Sequence, residues 1–338
     1  MTDPRFYIWL WEMENEIRKK IPMLYYHVWD NFPSPQFNGV YYRSTDEVVC
    51  ISKVTHQILK EVSPEVSSHY IPHAVNSTVF YKHNTSEKTE QVKTLRQNLC
   101  VNSTENNKNP NKKIFFWNNR NARRKQSGTL VWWFKEFLDE VGHDKATLLM
   151  HTDARDPHGQ DLPHIIDHLG VNDGQVLLST TKMPPDELSV MINACDYAIG
   201  ISDAEGFGLS TLEALSCGKP IIANMTGGLQ EQVTDGTNWF GWGIQPSSKS
   251  VIGSLQVPYI YEDRISQQDF TDVMKKALNL SKSKYKKMSD SCLGHVNKNY
   301  NFENYEKNWV ELMDLIVEKH GSWENRKIYK RWHLMEVA

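Results

Sequence analysis

The chain of 338 residues predicts an α/β protein of two domains built on parallel sheets. Three observations carry that expectation. From Lys113 onward, short apolar runs alternate with amphipathic stretches at the pace of βαβ units, which argues for a parallel sheet covered on both faces. A glycine turn, Gly206-Phe207-Gly208, opens a helix after one of those runs, and such sheets bind ligands beyond the carboxyl ends of their strands. The length also exceeds what one hydrophobic core usually fills.

Element by element, the run FYIWLW at 6–11 reads as a strand and the charged EMENEIRKKIP after it as a helix. The run MLYYH at 23–27 reads as a strand that delivers His27 into a turn-rich loop, YHVWDNFP. A helix near FNGVYYRST, a strand over 47–51 and a helix over 53–62 complete a first domain at 1–80. Residues 81–112, dense in Asn and Lys and poor in apolar periodicity, read as linker and flexible surface with room for a helix near 87–99. The second domain, 113–310, carries strands at 114–117, 147–151, 176–178, 197–201 and 220–223 and principal helices at 129–141, 162–169, 185–194 and 209–216. A helical stretch from Asn299 onward, with Trp309, Leu312, Leu315 and Ile316, leads into the tail at 311–338.

Composition bounds the function. Apolar and charged fractions of 39% and 23% are those of a soluble globular protein. A net charge of −3 gives no broad basic field, which argues against nucleic-acid binding and strong anchoring to anionic lipid. Two basic clusters stand out, at 120–125 and 282–287; the second reads as a solvated helix end or turn, or as a membrane-surface contact. No apolar run approaches the roughly 18 residues of a membrane span, and the start lacks the marks of a signal peptide, so a cytoplasmic protein is expected. Five scattered cysteines without a C-x-x-C pair read as reduced and mostly buried. The Asn76 and Asn102 N-x-S/T triplets carry no glycosylation meaning without secretion.

The chemistry concentrates in DAEGFGLSTLEALSCGKPIIANMTGGLQEQV, residues 203–233. Glycines at 206 and 208 permit backbone conformations and close approach that a side chain would block. Free N–H groups at a helix start favour a diphosphate. Helical side chains lean toward the N-terminus, so Glu213 can reach back to the loop that carries Glu205. Two carboxylates would also suit a glycoside hydrolase, but there they face each other across a bond, whereas here the anion-binding turn lies between them. Hydroxyl recognition fits better than acid/base work. The plainer reading is a βαβ unit with solvated Glu residues, since neither a Gly-x-Gly nor a Glu pair is specific alone.

With Glu205 and Glu213 at E-x7-E spacing and Gly227-Gly228 and Glu231 continuing the pattern, the segment resembles that of retaining glycosyltransferases of the family-4 type (glycosyl transferases group 1). The resemblance implies a GT-B fold of two Rossmann-like domains. It implies that Glu205 contacts the hydroxyls of the donor sugar, that Glu213 binds the ribose, and that the Gly206-Phe207-Gly208 backbone, with Leu209 opening the helix, lies beside sugar and phosphate. Relatives carry an Arg and, five positions later, a Lys that hold the donor diphosphate; Arg120 and Lys125 fit that spacing. A guanidinium forks onto phosphate oxygens and an ammonium adds a point charge. Here Asn119 replaces the usual glycine before the Arg, and Arg123 and Arg124 crowd the loop and could share the role; as an isolated cluster the loop would read as a solvated basic turn. Relatives also carry a His that contacts the donor sugar from the first domain, and His27 is its candidate, the bland alternative being a histidine bonded at a strand end. In relatives a segment like Ile71-Pro-His-Ala-Val-Asn76 leads out of the first domain, and the last helix crosses back to it.

Metal binding is not expected. The loop HTDARDPH with Asp161 and His164 has suitable ligand types, but its spacing matches no zinc pattern, and GT-B enzymes generally work without a metal. The expected activity is transfer of a sugar from a nucleotide-diphosphate-sugar to a glycan, lipid or protein acceptor, with retention. Two rivals stand beside it, a donor-binding subunit without turnover and a nucleotide-sugar epimerase. One departure bears on partners: the chain before Ile71 is short for a full first domain. An incomplete sheet would expose an edge and an apolar face, so self-association or a partner chain is a further expectation.

Overall fold

The computed structural model describes residues 3–101 and 109–329. By internal contact the chain divides into two units. The smaller comprises Met1–Ala74, Val251–Tyr261 and Phe302–Ala338, and the larger comprises Val75–Ser250 and Glu262–Asn301.

The smaller unit is built on a parallel sheet of β1 (Leu24–His27), β2 (Glu47–Cys50) and β3 (Ser68–Tyr70), in that order. Every residue of the central β2 is buried, and the period of two sorts them to opposite faces. Val48 and Cys50 join Trp11, Tyr25, Tyr42, Ile58 and Leu59 in one core. Val49 joins Ile71, Leu312 and Ile316 in the other. The helix Lys53–Val62, whose first turn is capped by the Ser52 hydroxyl, covers the first face. The helix Phe302–His320 covers the second with Leu312, Ile316 and His320 spaced one turn apart. The last helix thus packs on the first sheet.

The run FYIWLW is a correction: it forms a short 3-10 turn, Pro4–Tyr7, and a helix, Ile8–Glu12, not a strand. Helical spacing turns Trp11 inward, where its ring meets Tyr25 edge-on at 5.6 Å and its Nε1 donates to the Pro4 carbonyl at 3.0 Å. Strand β3 and the strands at Gly241–Ile244, Ser248–Ile252 and Ile260–Arg264 carry no strand signal in the sequence because they are short and lack clear alternation.

The larger unit holds six parallel strands: β4 (Lys113–Asn118), β5 (Ala146–His151), β6 (Val176–Ser179), β7 (Tyr197–Gly200), β8 (Ile221–Asn224) and β9 (Gly241–Ile244). Their spatial order is β6-β5-β4-β7-β8-β9. The chain winds outward from β4 to β6, returns to set β7 beside β4 with Phe115 opposite Tyr197, and winds outward again. Right-handed crossovers in two opposite directions put the connecting helices of the two halves on opposite faces. The first-half helices Ser127–Val141 and Leu162–His168, with Gln267–Leu278, bury Leu130, Phe134, Phe137, Leu162, Phe270 and Met274 against Phe115 and Trp117. Ser86–Leu99, which falls in the segment read as linker, packs on Pro185–Ala194 and is capped by Thr85. The basic run at 282–287 begins the long helix Lys282–Asn299. A two-stranded ribbon, β10 (Ser248–Ile252) and β11 (Ile260–Arg264), completes the architecture. All five cysteines are free and buried. The Asn102 triplet and residues 330–338 of the expected helical tail lie outside the described residues. Among the described residues no helix is long and apolar enough to cross a membrane.

Glu47 locks the last helix onto the first sheet. Its carboxylate, 2% exposed, accepts from His69 Nε2 at 2.8 Å and from His320 Nε2 and Lys319 Nζ, each at 2.7 Å. Burial alone would raise its pKa, but the bonds from His69, His320 and Lys319 outweigh it and hold the group well below the carboxylate range. A depressed carboxylate stabilises the fold above its unfolded pKa, and that contribution fades as pH falls through the acid range. Glu47→Ala is expected to destabilise the protein by about 3 kcal/mol in urea unfolding at neutral pH, with the gap to wild type shrinking on acidification below the ordinary carboxylate pKa.

Candidate functional site

The sheet order reverses between β4 and β7, and in doubly wound sheets the crevice at that reversal is where ligands sit. The two loops that leave the sheet there are 119–126, after β4, and 201–208, after β7. They carry Arg120, Arg124 and Lys125 on one side and Glu205 with the glycine turn on the other.

The second loop is held by backbone approach. A Cβ on Gly227 would stand 1.9 Å from the Glu205 carbonyl oxygen, and one on Gly228 would stand 2.6 Å from that of Gly206. The two glycine turns therefore touch through bare backbone, and the Gly228 amide donates to the Glu205 carbonyl at 2.9 Å. Gly208, at φ +92°, turns the chain into the helix Leu209–Ser216. Gln232 fixes the turn's polarity: its Nε2 donates to the carbonyls of Phe207 at 2.7 Å and Gly208 at 3.0 Å, while its Oε1 faces the Thr211 hydroxyl at 2.7 Å. With those carbonyls turned inward, the first N–H groups of the helix, which lack intrahelical acceptors, are the donors left to a ligand. Gln232 and Thr211 went unnoticed in the sequence, where nothing marks them. The Phe207 side chain is buried edge-on against Tyr300, so only its backbone belongs to the site; Leu209 is 48% exposed at the helix start.

The first loop sorts its cations among different partners. Arg120 forks onto Asp156, Nε to Oδ2 at 2.6 Å and a terminal nitrogen to Oδ1 at 3.1 Å, and its hydrogen bonds lower the Asp156 pKa to about 2. Arg123 forks onto Glu262 at 2.8 and 2.6 Å. Arg124 donates to the Ala204 carbonyl and lies 3.8 Å from the Glu205 carboxylate. The buried Lys125 donates directly to Glu205 Oε2. Lys125 and Arg124 thus meet Glu205, whereas Arg120 is tied to the loop after β5. Glu213, one turn into the helix after the glycines, has its pKa raised by burial to about 7.

His27 departs from its expected role. The ring is fully buried within the smaller unit, its Nε2 2.7 Å from Tyr42 Oη and its Nδ1 3.9 Å from Cys50 Sγ. Burial lowers its pKa to about 3, so it stays neutral and presents no surface to a sugar. It is a strand-end core histidine. In the loop weighed as a metal site, His151 Nδ1 faces the Ser179 hydroxyl at 2.9 Å and Asp161 caps the following helix through the His164 amide at 3.1 Å.

Two parallel-sheet units, the larger with a glycine turn and cations at its switch point, are the architecture of the GT-B fold. The family model for glycosyl transferases group 1 matches residues 101–290, more than half of the chain, and the protein belongs to that family. Residues of the chain are 26% identical over 190 positions to the alpha-monoglucosyldiacylglycerol synthase of Streptococcus pneumoniae, a match covering 56% of this chain and 40% of that protein. The chain therefore spans well under half of that relative. Two solved structures share the fold: HepE of Anabaena in complex with UDP-glucose, with a TM-score of 0.66 at 16% identity over 87% of this chain and 72% of that one; and the trehalose 6-phosphate synthase of Burkholderia multivorans, with a TM-score of 0.68 at 11% identity over 91% and 69%.

The backbone contact between the glycine turns gives a direct check. Gly227→Ala must push against the Glu205 carbonyl at positive φ (+50°) and is expected to cost about 3 kcal/mol. Gly236→Ala, at φ +91° with open space around it, should cost about 1 kcal/mol, the backbone strain alone. Equal losses in thermal or denaturant unfolding would refute the contact.

Proposed function

We propose that this group 1 glycosyltransferase moves a sugar from a nucleotide-diphosphate-sugar to a glycan, lipid or protein acceptor with retention at the anomeric carbon, without a metal ion. The observation that carries the reading is the convergence at the β4/β7 switch point of Lys125 and Arg124, Glu205, and the N-terminus of the helix Leu209–Ser216. In this reading the diphosphate lies on the helix N–H groups, and Lys125 with Arg124 offsets the charge that grows on it as the sugar–oxygen bond breaks. Glu205, released from Lys125 when the phosphate arrives, accepts from sugar hydroxyls. Glu213 accepts from the ribose. Arg120 reaches the phosphate only by leaving Asp156, so we assign it a smaller part than Lys125.

The relation between Lys125 and Glu205 makes the reading sharp. Lys125→Ala should lower kcat/KM by about 100-fold, close to 2.7 kcal/mol. Glu205→Gln should leave nucleoside diphosphate binding equal or tighter, because Lys125 is no longer neutralised, yet abolish the preference for sugar-bearing donors. The assay is release of nucleoside diphosphate from a panel of UDP-, GDP- and ADP-sugars with EDTA present, beginning with UDP-glucose, the ligand of one structural neighbour. Saturable binding without turnover would favour the second reading, a donor-binding subunit completed by a partner chain or second copy, which the three-stranded sheet of the smaller unit supports. A converted sugar nucleotide without acceptor would point to an epimerase.

Glu213 supplies a pH signature. Ribose hydroxyls donate, so they bind the ionised carboxylate, and a carboxyl raised to about 7 must release its proton on binding below that pH. Affinity for the preferred nucleoside diphosphate should rise between about pH 6 and 8 more steeply in wild type than in Glu213→Gln, with correspondingly larger proton release seen calorimetrically in wild type. Parallel profiles in the two proteins would remove Glu213 from the site. Location in the cytoplasm is part of the same proposal.

A further inference from the structure

Between the two site loops lies a set of contacts that donor binding does not use directly. Gln126, the residue after Lys125, takes the left-handed conformation, φ +57° and ψ +35°, as the chain leaves the 3-10 turn Arg123–Lys125 for the helix Ser127–Val141. A residue with a Cβ adopts that conformation at a cost of about 1–2 kcal/mol unless its surroundings hold it there. Here both ends of its side chain are held. Its Nε2 donates to Asp203 Oδ2 at 2.6 Å, and its Oε1 accepts from the Thr129 hydroxyl at 2.7 Å.

Asp203 sits two residues before Glu205 and is 2% exposed. Its amide donates to the Arg124 carbonyl at 2.8 Å, and its own carbonyl accepts from the Asp263 amide at 2.9 Å. Arg264 lies 3.3 Å from the same carboxylate oxygen that Gln126 uses. One residue of the β7 loop therefore grips the β4 loop through main chain at Arg124 and through side chain at Gln126, on both sides of Lys125. The kink at Gln126 sets the Arg124–Lys125 turn against the helix Ser127–Val141 that follows, and a right-handed residue there would seat that turn differently.

We propose that Asp203, acting through Gln126, is a positioning residue that sets the Arg124–Lys125 turn to receive the donor's diphosphate. This rests on the donor-site reading above. Asp203 touches no reacting atom; it removes the freedom of the β4 loop before the ligand arrives, and a turn already set in place loses less entropy on binding.

The test uses the full chain, with inorganic pyrophosphate and UDP, GDP and ADP as probes and nucleosides lacking phosphate as controls. Gln126→Ala and Asp203→Ala should each weaken pyrophosphate and diphosphate binding at least tenfold and leave nucleoside binding unchanged. Gln126→Gly should stay within about threefold of wild type, because glycine enters the left-handed conformation without the steric cost that the latch offsets in Gln126. The decisive protein is the Gln126→Gly/Asp203→Ala double variant. If the carboxylate acts by holding the kink, glycine makes it dispensable and diphosphate affinity returns; if Asp203 only supports the fold, the double variant stays as weak as Asp203→Ala. Should Asp203→Ala fail to fold, Gln126→Ala against Gln126→Gly makes the same comparison without touching the buried carboxylate.

Wild-type affinity in Gln126→Ala, or no recovery in the double variant, overturns the proposal, while a loss in Lys125→Ala keeps the donor site. No binding of any probe by wild type overturns the donor site and this inference with it.

Discussion

The bare backbone contact between the turns at Gly206–Gly208 and Gly227–Gly228 is the constraint on which the rest of the site depends. No side chain fits between Gly227 and the Glu205 carbonyl, so the loop after β7 is pressed against the loop after β8. Gln232, from the short helix that follows the second turn, can then reach the carbonyls of Phe207 and Gly208. Those bonds face the carbonyls inward and commit the start of the helix Leu209–Ser216 to donate outward. The same contact sets where Glu205 emerges, and hence which cation of the β4 loop it meets. Strand order does the remaining work, because at the reversal between β4 and β7 the two loops leave the sheet toward opposite faces and open a crevice between them.

What the sequence made legible follows from the range over which each signal acts. The helices 53–62 and 209–216 were readable end to end, since the apolar spacing that marks a helix is local. So was the alternation that gives five of the six strands of the larger sheet. The run FYIWLW failed because six apolar residues satisfy either period, and the choice is made by Tyr25 and the Pro4 carbonyl, which Trp11 meets only after folding. β9 went unread because two of its four residues are glycine, which weakens any strand signal.

In the site the same rule holds with greater consequence. The E-x7-E spacing, the glycine turn and the basic loop were all visible, yet which cation serves which carboxylate was not. Arg120 and Lys125 read alike on the page. Their partners stand 36 and 80 residues away, Asp156 and Glu205, and nothing local favours one over the other. His27 shows the limit of a strand-end signal, which fits a ligand-facing ring and a buried one equally well. Tyr42, Tyr25 and Cys50 close around it and decide the matter.

The charge arrangement at the switch point constrains how an anion could be taken up there. The loop 120–125 bears four cations, and each is met by a carboxylate or carbonyl: Asp156, Glu262, Ala204 and Glu205. In the proposed donor site a diphosphate would not meet bare positive charge but would exchange with carboxylates already in place. The gain is therefore a difference between two ion pairs, small for exposed groups and larger for buried ones. Arg120, 62% exposed on its side chain, has little to gain. In the proposed donor site the buried Lys125 would exchange Glu205 for phosphate, which would free that carboxylate for the sugar hydroxyls. In the proposed donor site that coupling is a reason for Glu205 and Lys125 to be neighbours: diphosphate binding would replace one ion pair with another and leave each group its own task.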